Sequence, residues 1–277
     1  MHVKKILKAL MLKVRQEKLK FETKYLCGIP LKVLKGTIRE TVDQDDAWWF
    51  YLSKHHHVIF DIGCNIGYMA LLALIQDSNK QLLLVDPNPK ALQKAAINLI
   101  QNNLGNKAQY FTAFVGDTLN EKMKFYTIGS GEAGSMYGSH AESAAAINSY
   151  MEVNTVTLDY LYAYYELKPD LVKIDVEGAE TLVMKAAKKM ALETQCTFFI
   201  EMHDVKDLGM EAAGEMILDW CQEVQYKAWY LKTESELIDA NTIKGRGKCH
   251  LLLMPFNRPY PDYLKGVAQK AHLPKSI

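Results

Sequence analysis

Long hydrophobic runs are absent from this 277-residue sequence. No apolar stretch approaches the ~20 residues that a helix needs to span a bilayer. Near the N-terminus the apolar residues are interrupted by Lys8 and Lys13, unlike the continuous core of a signal peptide. The sequence therefore predicts neither a transmembrane segment nor a secretory leader.

Cysteine is scarce and charge is balanced. The five cysteines are widely spaced and none forms a Cys-x-x-Cys pair, so the sequence shows neither a disulfide framework nor a zinc-binding pattern. Reduced thiols in a cytoplasmic protein are the simplest interpretation. A net charge of +1 gives no indication of nucleic acid as a partner. With 49% hydrophobic residues, the chain is typical of a globular protein with one large domain and a modest extension.

The dinucleotide fingerprint Gly-x-Gly-x-x-Gly is also missing. A β-type run over 58–62 stops at Gly63 and a helical pattern resumes after Gly67, so the glycines are spaced Gly-x-x-x-Gly. A strand that feeds a helix in this way predicts free backbone N–H groups at a ligand-binding crevice. Asp61 at the strand end would repel a diphosphate, whereas it suits a cationic amine and sulfonium such as those of S-adenosylmethionine. The alternative is a plain strand–turn–helix corner without a ligand.

Strands and helices alternate along the rest of the chain. Strand-like runs lie at 81–87, 110–115, 170–178 and 197–203, and helix-like runs at 90–102, 179–190 and 208–224. This alternation predicts βαβ units on a parallel sheet. Two closing strands, at 227–231 and 250–254, indicate a terminal hairpin and hence a mixed sheet. A further hairpin is predicted between Lys122 and Leu158, around a Gly/Ser/Ala-rich loop at 129–149.

Polar residues follow the ends of these strands. They are Asp61, Asp86, Asp117, Asp175, Glu177, Glu201 and His203. Because the carboxyl ends of parallel strands share one rim, we expect them to converge on one cleft. Asp86 lies 25 positions after Asp61, where an acid can accept both hydroxyls of a ribose, in NAD or in S-adenosylmethionine.

The N-terminal segment 1–52 is predicted as a helical extension, because apolar residues recur at helical spacing over about 3–25, and a short β-type run follows at 29–34. Eight basic and two acidic side chains lie within residues 1–26. This segment either packs on the domain with a solvated lysine face, or contacts an acidic partner or a membrane surface. The main domain is predicted to cover 53–256, followed by a tail at 257–277.

Five stretches carry a resemblance to a known family. They are Asp-Ile-Gly-Cys-Asn-Ile-Gly-Tyr at 61–68, Val-Asp-Pro-Asn-Pro at 85–89, Thr-Leu-Asp at 157–159, Leu-Val-Lys-Ile-Asp-Val-Glu-Gly-Ala-Glu at 171–180 and Ile-Glu at 200–201. In these stretches the chain resembles the FkbM family of S-adenosylmethionine-dependent methyltransferases. The resemblance implies an α/β, Rossmann-like class I methyltransferase fold: a seven-stranded, mostly parallel sheet with helices on both faces and an antiparallel last strand. It also implies O-methylation of a hydroxyl on a small molecule or carbohydrate.

The resemblance also implies a set of residues for S-adenosylmethionine. The set comprises Asp61, Gly63, Cys64, Asn65, Gly67, Tyr68, Asp86, Pro87, Asn88, Gly116 and Asp117. Residues 61–67 would line the methionine part and Asp86 would hold the ribose hydroxyls. Asn88 would lie beside the adenine and Asp117 near its amine. Cys64 stands where the family usually carries a smaller residue.

Three residues are the catalytic candidates. An alcohol must lose its proton before it can be methylated, which calls for a general base. His203 is the first candidate, because imidazole titrates near neutral pH. Asp175 and Glu177 are the alternatives, either as bases or as ligands of a divalent cation such as Mg²⁺. The spacing of these acids does not decide whether a metal binds.

Other functions remain open at this point. They are an NAD(P)-dependent oxidoreductase on a Rossmann sheet, a non-catalytic binding module on the methyltransferase fold, and a membrane-surface protein acting through residues 1–26. For a methyltransferase, we expect acceptor specificity to reside in the loop at 129–149, the aromatic stretch at 48–51 and the segment at 232–249.

Overall fold

The computed structural model describes residues 19–77, 79–127, 135–136, 149–206 and 208–276. Its strands are β1 (Phe21–Leu26), β2 (Ile29–Leu34), β3 (Val58–Ile62), β4 (Gln81–Asp86), β5 (Ala108–Thr112), β6 (Phe114–Val115), β7 (Lys122–Tyr126), β8 (Tyr150–Val156), β9 (Leu171–Ile174), β10 (Thr197–His203), β11 (Tyr226–Tyr230), β12 (Ser235–Glu236) and β13 (Lys248–Pro255). Its α-helices are α1 (Asp46–Lys54), α2 (Tyr68–Leu74), α3 (Pro89–Ile100), α4 (Leu158–Tyr165), α5 (Glu180–Lys185), α6 (Lys188–Thr194) and α7 (Met210–Val224).

The central sheet has eight strands in the order β12-β11-β13-β10-β9-β3-β4-β5. Strands β5, β4, β3, β9 and β10 are parallel, and β13 runs antiparallel between β10 and β11. The predicted mixed sheet and antiparallel last strand are therefore confirmed. The predicted number of strands was one too low, because Ser235 and Glu236 pair with the end of β11 and extend the sheet.

Each face of the sheet carries its own layer of helices, as predicted. Successive strand residues point to opposite faces, so Phe60 packs with the apolar sides of α4 to α7 whereas Ile59 packs with α1 to α3. The aromatic stretch at 48–51 belongs to the second layer. Trp48 and Trp49 are almost fully buried there, which confirms packing as their main structural role.

A separate three-stranded sheet, in the order β6-β8-β7, leaves the central sheet near its β5 edge. Strands β7 and β8 form the predicted antiparallel hairpin. The strand predicted at 110–115 is divided, because β5 ends at Thr112 and β6 pairs with β8 instead. Most of the loop predicted at 129–149 lies outside the described residues.

The described part of the N-terminal extension is a β-hairpin, so the prediction of a helix running to about residue 25 was wrong. Strands β1 and β2 pair with Leu26 opposite Ile29, which leaves Cys27 and Gly28 as a two-residue turn. Both turn residues have positive φ, as the tightest β-hairpin turns require. Residues 1–18 lie outside the described residues, so membrane contact through this segment stays a prediction.

The hairpin and the C-terminal tail both pack on the domain. The backbone N–H of Leu34 donates to Asn98 Oδ1 of α3 at 2.8 Å, and Trp48 Nε1 donates to the carbonyl of Val267 at 2.7 Å. All five cysteines are buried and free. Within the part of the chain that the structure describes, no helix is long and apolar enough to cross a membrane.

Candidate functional site

The turn between β3 and α2 uses its backbone N–H groups within the protein. Gly63 and Cys64 donate to the carbonyl of Val85, at 2.8 and 3.1 Å, and Gly67 donates to the carbonyl of Cys64 at 2.9 Å. The N–H of Asn65 donates to Asp86 Oδ2 at 2.9 Å. The prediction of free N–H groups was therefore wrong for these four residues. This turn offers a ligand its side chains rather than the amide nest that cradles a phosphate.

The glycines of the motif allow close packing. At Gly63, with φ of +83°, an added Cβ would lie 1.8 Å from the carbonyl oxygen of Asp175. At Gly67, with φ of +81°, it would lie 2.9 Å from Ala95 Cβ of α3. Gly63 thus lets the end of β9 approach the motif, and Gly67 lets α2 pack on α3.

Gly63→Ala is expected to destabilise the fold by more than about 3 kcal/mol, because backbone must move as well as adopt a strained φ. Gly36→Ala is the matched control: its φ is +89° and its added Cβ meets nothing within 4 Å, so only about 1 kcal/mol should be lost. Urea unfolding of both variants measures the difference. Equal destabilisation would contradict the packing role of Gly63.

A cavity of ≈ 280 Å³ opens at the carboxyl rim of the sheet. The predicted residues among its lining are Asp61, Gly63, Cys64, Asn65, Tyr68, Asp86, Pro87, Asp175 and Glu177. We call it the cofactor cavity below. Four of its lining residues are acids, against two cations, Arg39 and Lys173. This balance favours a cationic ligand over a diphosphate.

Five predicted residues do not line this cavity: Gly67, Asn88, Gly116, Asp117 and His203. Asn88 instead caps α3, where its Oδ1 accepts the N–H of Lys90 at 3.0 Å. Asp117 forms an ion pair with Lys185 Nζ at 2.8 Å. The N–H of Gly116 donates to the carbonyl of Val156 at 2.9 Å.

Asp61 is fully buried, and neither of its carboxylate oxygens has a hydrogen-bond partner. The nearest cation is Lys173, whose Nζ lies 3.9 Å from Asp61 Oδ1. Burial raises the pKa of Asp61 to about 6, although Lys173 lowers it. Buried polar groups are normally hydrogen-bonded, so this carboxylate fits the cationic methionine end of S-adenosylmethionine. Asn65 Oδ1 is a second buried acceptor without a partner.

Asp86 joins two loops at the end of β4. Its Oδ2 accepts the N–H of Asn65 at 2.9 Å and its Oδ1 accepts the N–H of Asn88 at 2.8 Å. Burial raises the pKa of Asp86 to about 7, against the lowering effect of these two N–H donors. Each carboxylate oxygen keeps a second lone pair, so Asp86 can still accept the hydroxyls of a ribose.

Lys173 is the principal site residue that sequence reasoning missed. Its Nζ donates to Asp175 Oδ2 at 3.1 Å, and its side chain is almost completely buried. Burial lowers the pKa of Lys173, but the negative charges of Asp175 and Asp61 raise it by more. The net shift of the pKa is therefore upward. The available signal was a lysine inside the otherwise apolar run Leu171–Ile174. Arg39 was missed as well, because it lies well before the motifs.

His203 lies among carboxylates just outside the cofactor cavity. Its Nδ1 is 2.9 Å from Glu180 Oε1, and its Nε2 is 3.5 Å from Glu177 Oε2 and 3.7 Å from Glu201 Oε1. Burial lowers the pKa of His203, but the Glu180 hydrogen bond and the surrounding negative charge raise it to about 9. The imidazole is therefore protonated at neutral pH. Glu180 was not identified from the sequence.

The His203 ion pairs should make stability depend on pH. Because the folded-state pKa is raised above the ordinary 6.5, their contribution is complete below about pH 6.5 and disappears as pH rises through about 9. His203→Gln should therefore lower the free energy of unfolding by on the order of 3 kcal/mol at pH 6.5 and by much less at pH 10. Denaturant unfolding across this range is the measurement. A pH-independent difference, or an equal effect from exposed His272→Gln, would contradict it.

Among the described residues, two groups of side chains have donor atoms close enough together to bind a metal ion: Asp175, Glu177 and His203, and separately Asp45, Glu201 and His250. Their carboxylates already face protein cations. Asp175 contacts Lys173, Glu177 faces His203, and Glu201 contacts Lys248. Mg²⁺ prefers an all-oxygen octahedral shell, and each group supplies an imidazole. The donor sets therefore fit Mg²⁺ poorly, and the predicted cation has no structural support.

The family model described as the methyltransferase FkbM domain matches residues 61–228. No curated protein matches the chain.

Among solved structures, the methyltransferase FkbM from Methylobacillus flagellatus KT is 12% identical, with a TM-score of 0.45, over 76% of this chain and 48% of that one. The chain thus spans about half the length of that protein. An O-methyltransferase from Bacillus cereus in complex with SAH is 12% identical, with a TM-score of 0.42, over 76% and 79% of the two chains. A SAM-dependent methyltransferase from Agrobacterium tumefaciens is 9% identical, with a TM-score of 0.46, over 88% and 72%.

The family model covers more than half of the 277 residues and includes β3, β4, β9 and β10, which carry the acids of the rim. It begins at Asp61, the unpartnered carboxylate of the cofactor cavity. The family assignment also decides against the NAD(P)-dependent oxidoreductase considered above. The chain belongs to the FkbM family of S-adenosylmethionine-dependent methyltransferases.

Proposed function

We propose that this chain transfers the methyl group of S-adenosylmethionine to a hydroxyl of a small molecule or carbohydrate, with Glu177 as the general base. The observation that carries the proposal is the position of Glu177. Glu177 lines the cofactor cavity, its side chain is 44% exposed, and its Oε2 lies 3.5 Å from His203 Nε2. It is the acid of the catalytic set best placed to meet both a cofactor and an acceptor.

The electrostatics of Glu177 suit this role. Burial raises the pKa of its carboxyl, although His203 lowers it, and the net shift is upward. A raised pKa makes a carboxylate a stronger acceptor of the hydroxyl proton. His203, as a cation, orients Glu177 rather than acting as the base. This reverses the order of candidates drawn from the sequence.

The backbone at Glu177 is also unusual. Its φ is +54°, in the left-handed region that non-glycine residues seldom adopt. Ser135 Oγ donates to its carbonyl at 2.8 Å, and the following Gly178 donates its N–H to Glu180 Oε1 at 3.0 Å. Strained residues of this kind cluster at functional sites.

The remaining residues bind and align the cofactor. S-adenosylmethionine, when bound, supplies an electrophilic methyl group on a sulfonium. Asp61 would hold the ammonium of the methionine part and Asp86 the ribose hydroxyls. Lys173 keeps Asp61 and Asp175 in place. Alignment of this kind supplies much of the rate in a direct displacement, for which effective molarities reach ~10⁵–10⁸ M.

Methyl transfer with radiolabelled S-adenosylmethionine and a panel of alcohols, amines and activated carbon acids tests the proposal. We expect label on oxygen. Label on nitrogen or carbon acceptors, with the alcohols unlabelled, would contradict it. The non-catalytic alternative predicts tight cofactor binding with no transfer to any member of the panel. The cytoplasmic location and the boundaries 53–256 and 257–277 stay predictions.

A further inference from the structure

A second cavity, of ≈ 290 Å³, opens on the same rim of the sheet. We call it the basic cavity. Its lining includes Lys232, Arg246, Lys248 and His250, together with Gln44 and Gln269, and none of its lining residues is an acid. Trp48 provides an aromatic wall. The cavity therefore combines cations and amide groups, the chemistry that binds an oxyanion.

Four contacts connect the basic cavity to Glu177, the proposed general base. Lys248 is the first residue of β13 and lies opposite His203, the last residue of β10, in the antiparallel strand pair. Its Nζ contacts Glu201 Oε1, which lies 3.7 Å from His203 Nε2. His203 in turn faces Glu177 of the cofactor cavity. A molecule whose hydroxyl reaches Glu177 could thus extend over Glu201 to the basic cavity.

The cations of this cavity are not equally neutralised. Lys248 is paired with Glu201, and His250 Nε2 lies 3.7 Å from the same carboxylate without a hydrogen bond. Lys232 and Arg246 are exposed, and no described carboxylate lies within 4.0 Å of either. These two residues leave positive charge at the mouth of the cavity.

The backbone on either side of Arg246 borders open space. Arg246 lies between Gly245 and Gly247, and an added Cβ at either glycine would meet nothing within 4 Å. His250 is held inside the wall, where its ring stacks on Phe199 and lies 5.3 Å from that of Trp48. The cavity thus has a buried aromatic wall and an exposed basic mouth.

We infer that the methyl acceptor carries an anionic group, a phosphate, sulfate or carboxylate, which the basic cavity binds through Lys232, Arg246 and Lys248 while the hydroxyl lies at Glu177. This inference rests on the proposed function and narrows its substrate class. Among the residues that line the cavity are Trp48, Lys232 and residues 245–249. These belong to two of the three segments in which the sequence places acceptor specificity.

Calorimetric titration of the full chain with inorganic phosphate, sulfate and acetate at low ionic strength tests the site. Lys232→Met and Arg246→Met should each weaken the affinity for the preferred anion about tenfold, as expected for loss of one charge-assisted contact. Lys168→Met is the matched control, because Lys168 is exposed and precedes β9, at the amino-terminal end of the parallel strands and away from the carboxyl rim. It should bind the anion as wild type does. The order of affinities separates a phosphate or sulfate group from a carboxylate.

The inference is overturned if wild type binds none of the three anions, or if Lys168→Met weakens binding as much as the cavity variants. Titration of the same proteins with S-adenosylhomocysteine separates this inference from the proposed function. Lys232 and Arg246 do not line the cofactor cavity. The affinity of these variants for S-adenosylhomocysteine should therefore equal that of wild type. Intact anion binding without methyl transfer to any alcohol would reject the proposed function alone.

Discussion

Glu177→Gln is expected to lower kcat by about 10²–10⁴-fold, the usual contribution of a general base. Glutamine has the same shape but cannot accept the hydroxyl proton. Because the carboxylate acts in the chemical step, the affinity for S-adenosylhomocysteine should stay close to that of wild type. Single-turnover methyl transfer and calorimetric titration provide the two measurements.

The matched control is Glu166→Gln. Glu166 has a φ of +52°, close to that of Glu177, but it caps the end of α4 and precedes β9, at the amino-terminal end of the parallel strands. Glu166 has the same kind of backbone conformation as Glu177 but does not line the cofactor cavity. The kcat of Glu166→Gln should therefore equal that of wild type. In wild type, log kcat should rise with pH through a pKa above the ordinary 4.5, since burial raises the pKa of Glu177. An active Glu177→Gln variant would make Glu177 structural and return Asp175 to consideration as the base.

Asp61→Asn should weaken S-adenosylhomocysteine binding by at least about tenfold, the expected effect of losing one charged hydrogen bond. It should not lower the melting temperature. The raised folded-state pKa of Asp61, about 6, means that ionisation of this buried acid costs stability as pH rises above about 4. Asparagine removes that cost, and Lys173 keeps its contact with Asp175 at 3.1 Å.

Asp219→Asn serves as the control for Asp61→Asn, because Asp219 is exposed on α7 and far along the chain from the motif. Neither its affinity nor its melting temperature should change. A loss of stability in Asp61→Asn without a loss of affinity would contradict the assignment. Asp61 would then be a structural partner of Lys173 rather than a ligand for the cofactor.

The central sheet could be predicted from the sequence because its signals are local. Strands β3, β4 and β9 are short apolar runs with an acid at or next to the end, and a helical pattern follows each of them. The N-terminal hairpin was harder to predict, because the lysine-rich apolar pattern before it also fits a helix. The decisive signal was the pair Cys27-Gly28, whose positive φ values form the turn. A turn of this kind outweighs weak helical periodicity.

The cofactor cavity was predictable in part. Asp61, Asp86, Asp175 and Glu177 converge because they end neighbouring parallel strands. The protonation state of His203 was not predictable, since it depends on Glu180, which is 23 residues away in sequence and 2.9 Å away in space. Sequence position also gave no sign that Asp117 would pair with Lys185. Both the protonation state of His203 and the ion pair of Asp117 depend on contacts between elements that are far apart in the sequence.

The basic cavity could only be found in three dimensions. Its cations come from the segment after β11 and from the start of β13, and its amides come from the segment before α1 and from the C-terminal tail. No motif links these pieces. Antiparallel pairing of β13 with β10 and β11 brings the cations to the carboxyl rim, next to Glu201 and His203.

A crystal structure grown with S-adenosylhomocysteine tests the central claim most directly. We expect the ligand in the cofactor cavity, with its ribose hydroxyls within hydrogen-bond distance of Asp86 and its amino group beside Asp61. Its sulfur should face Glu177. Ligand bound elsewhere on the protein, or bound in this cavity with Glu177 directed away from the sulfur, would contradict the account.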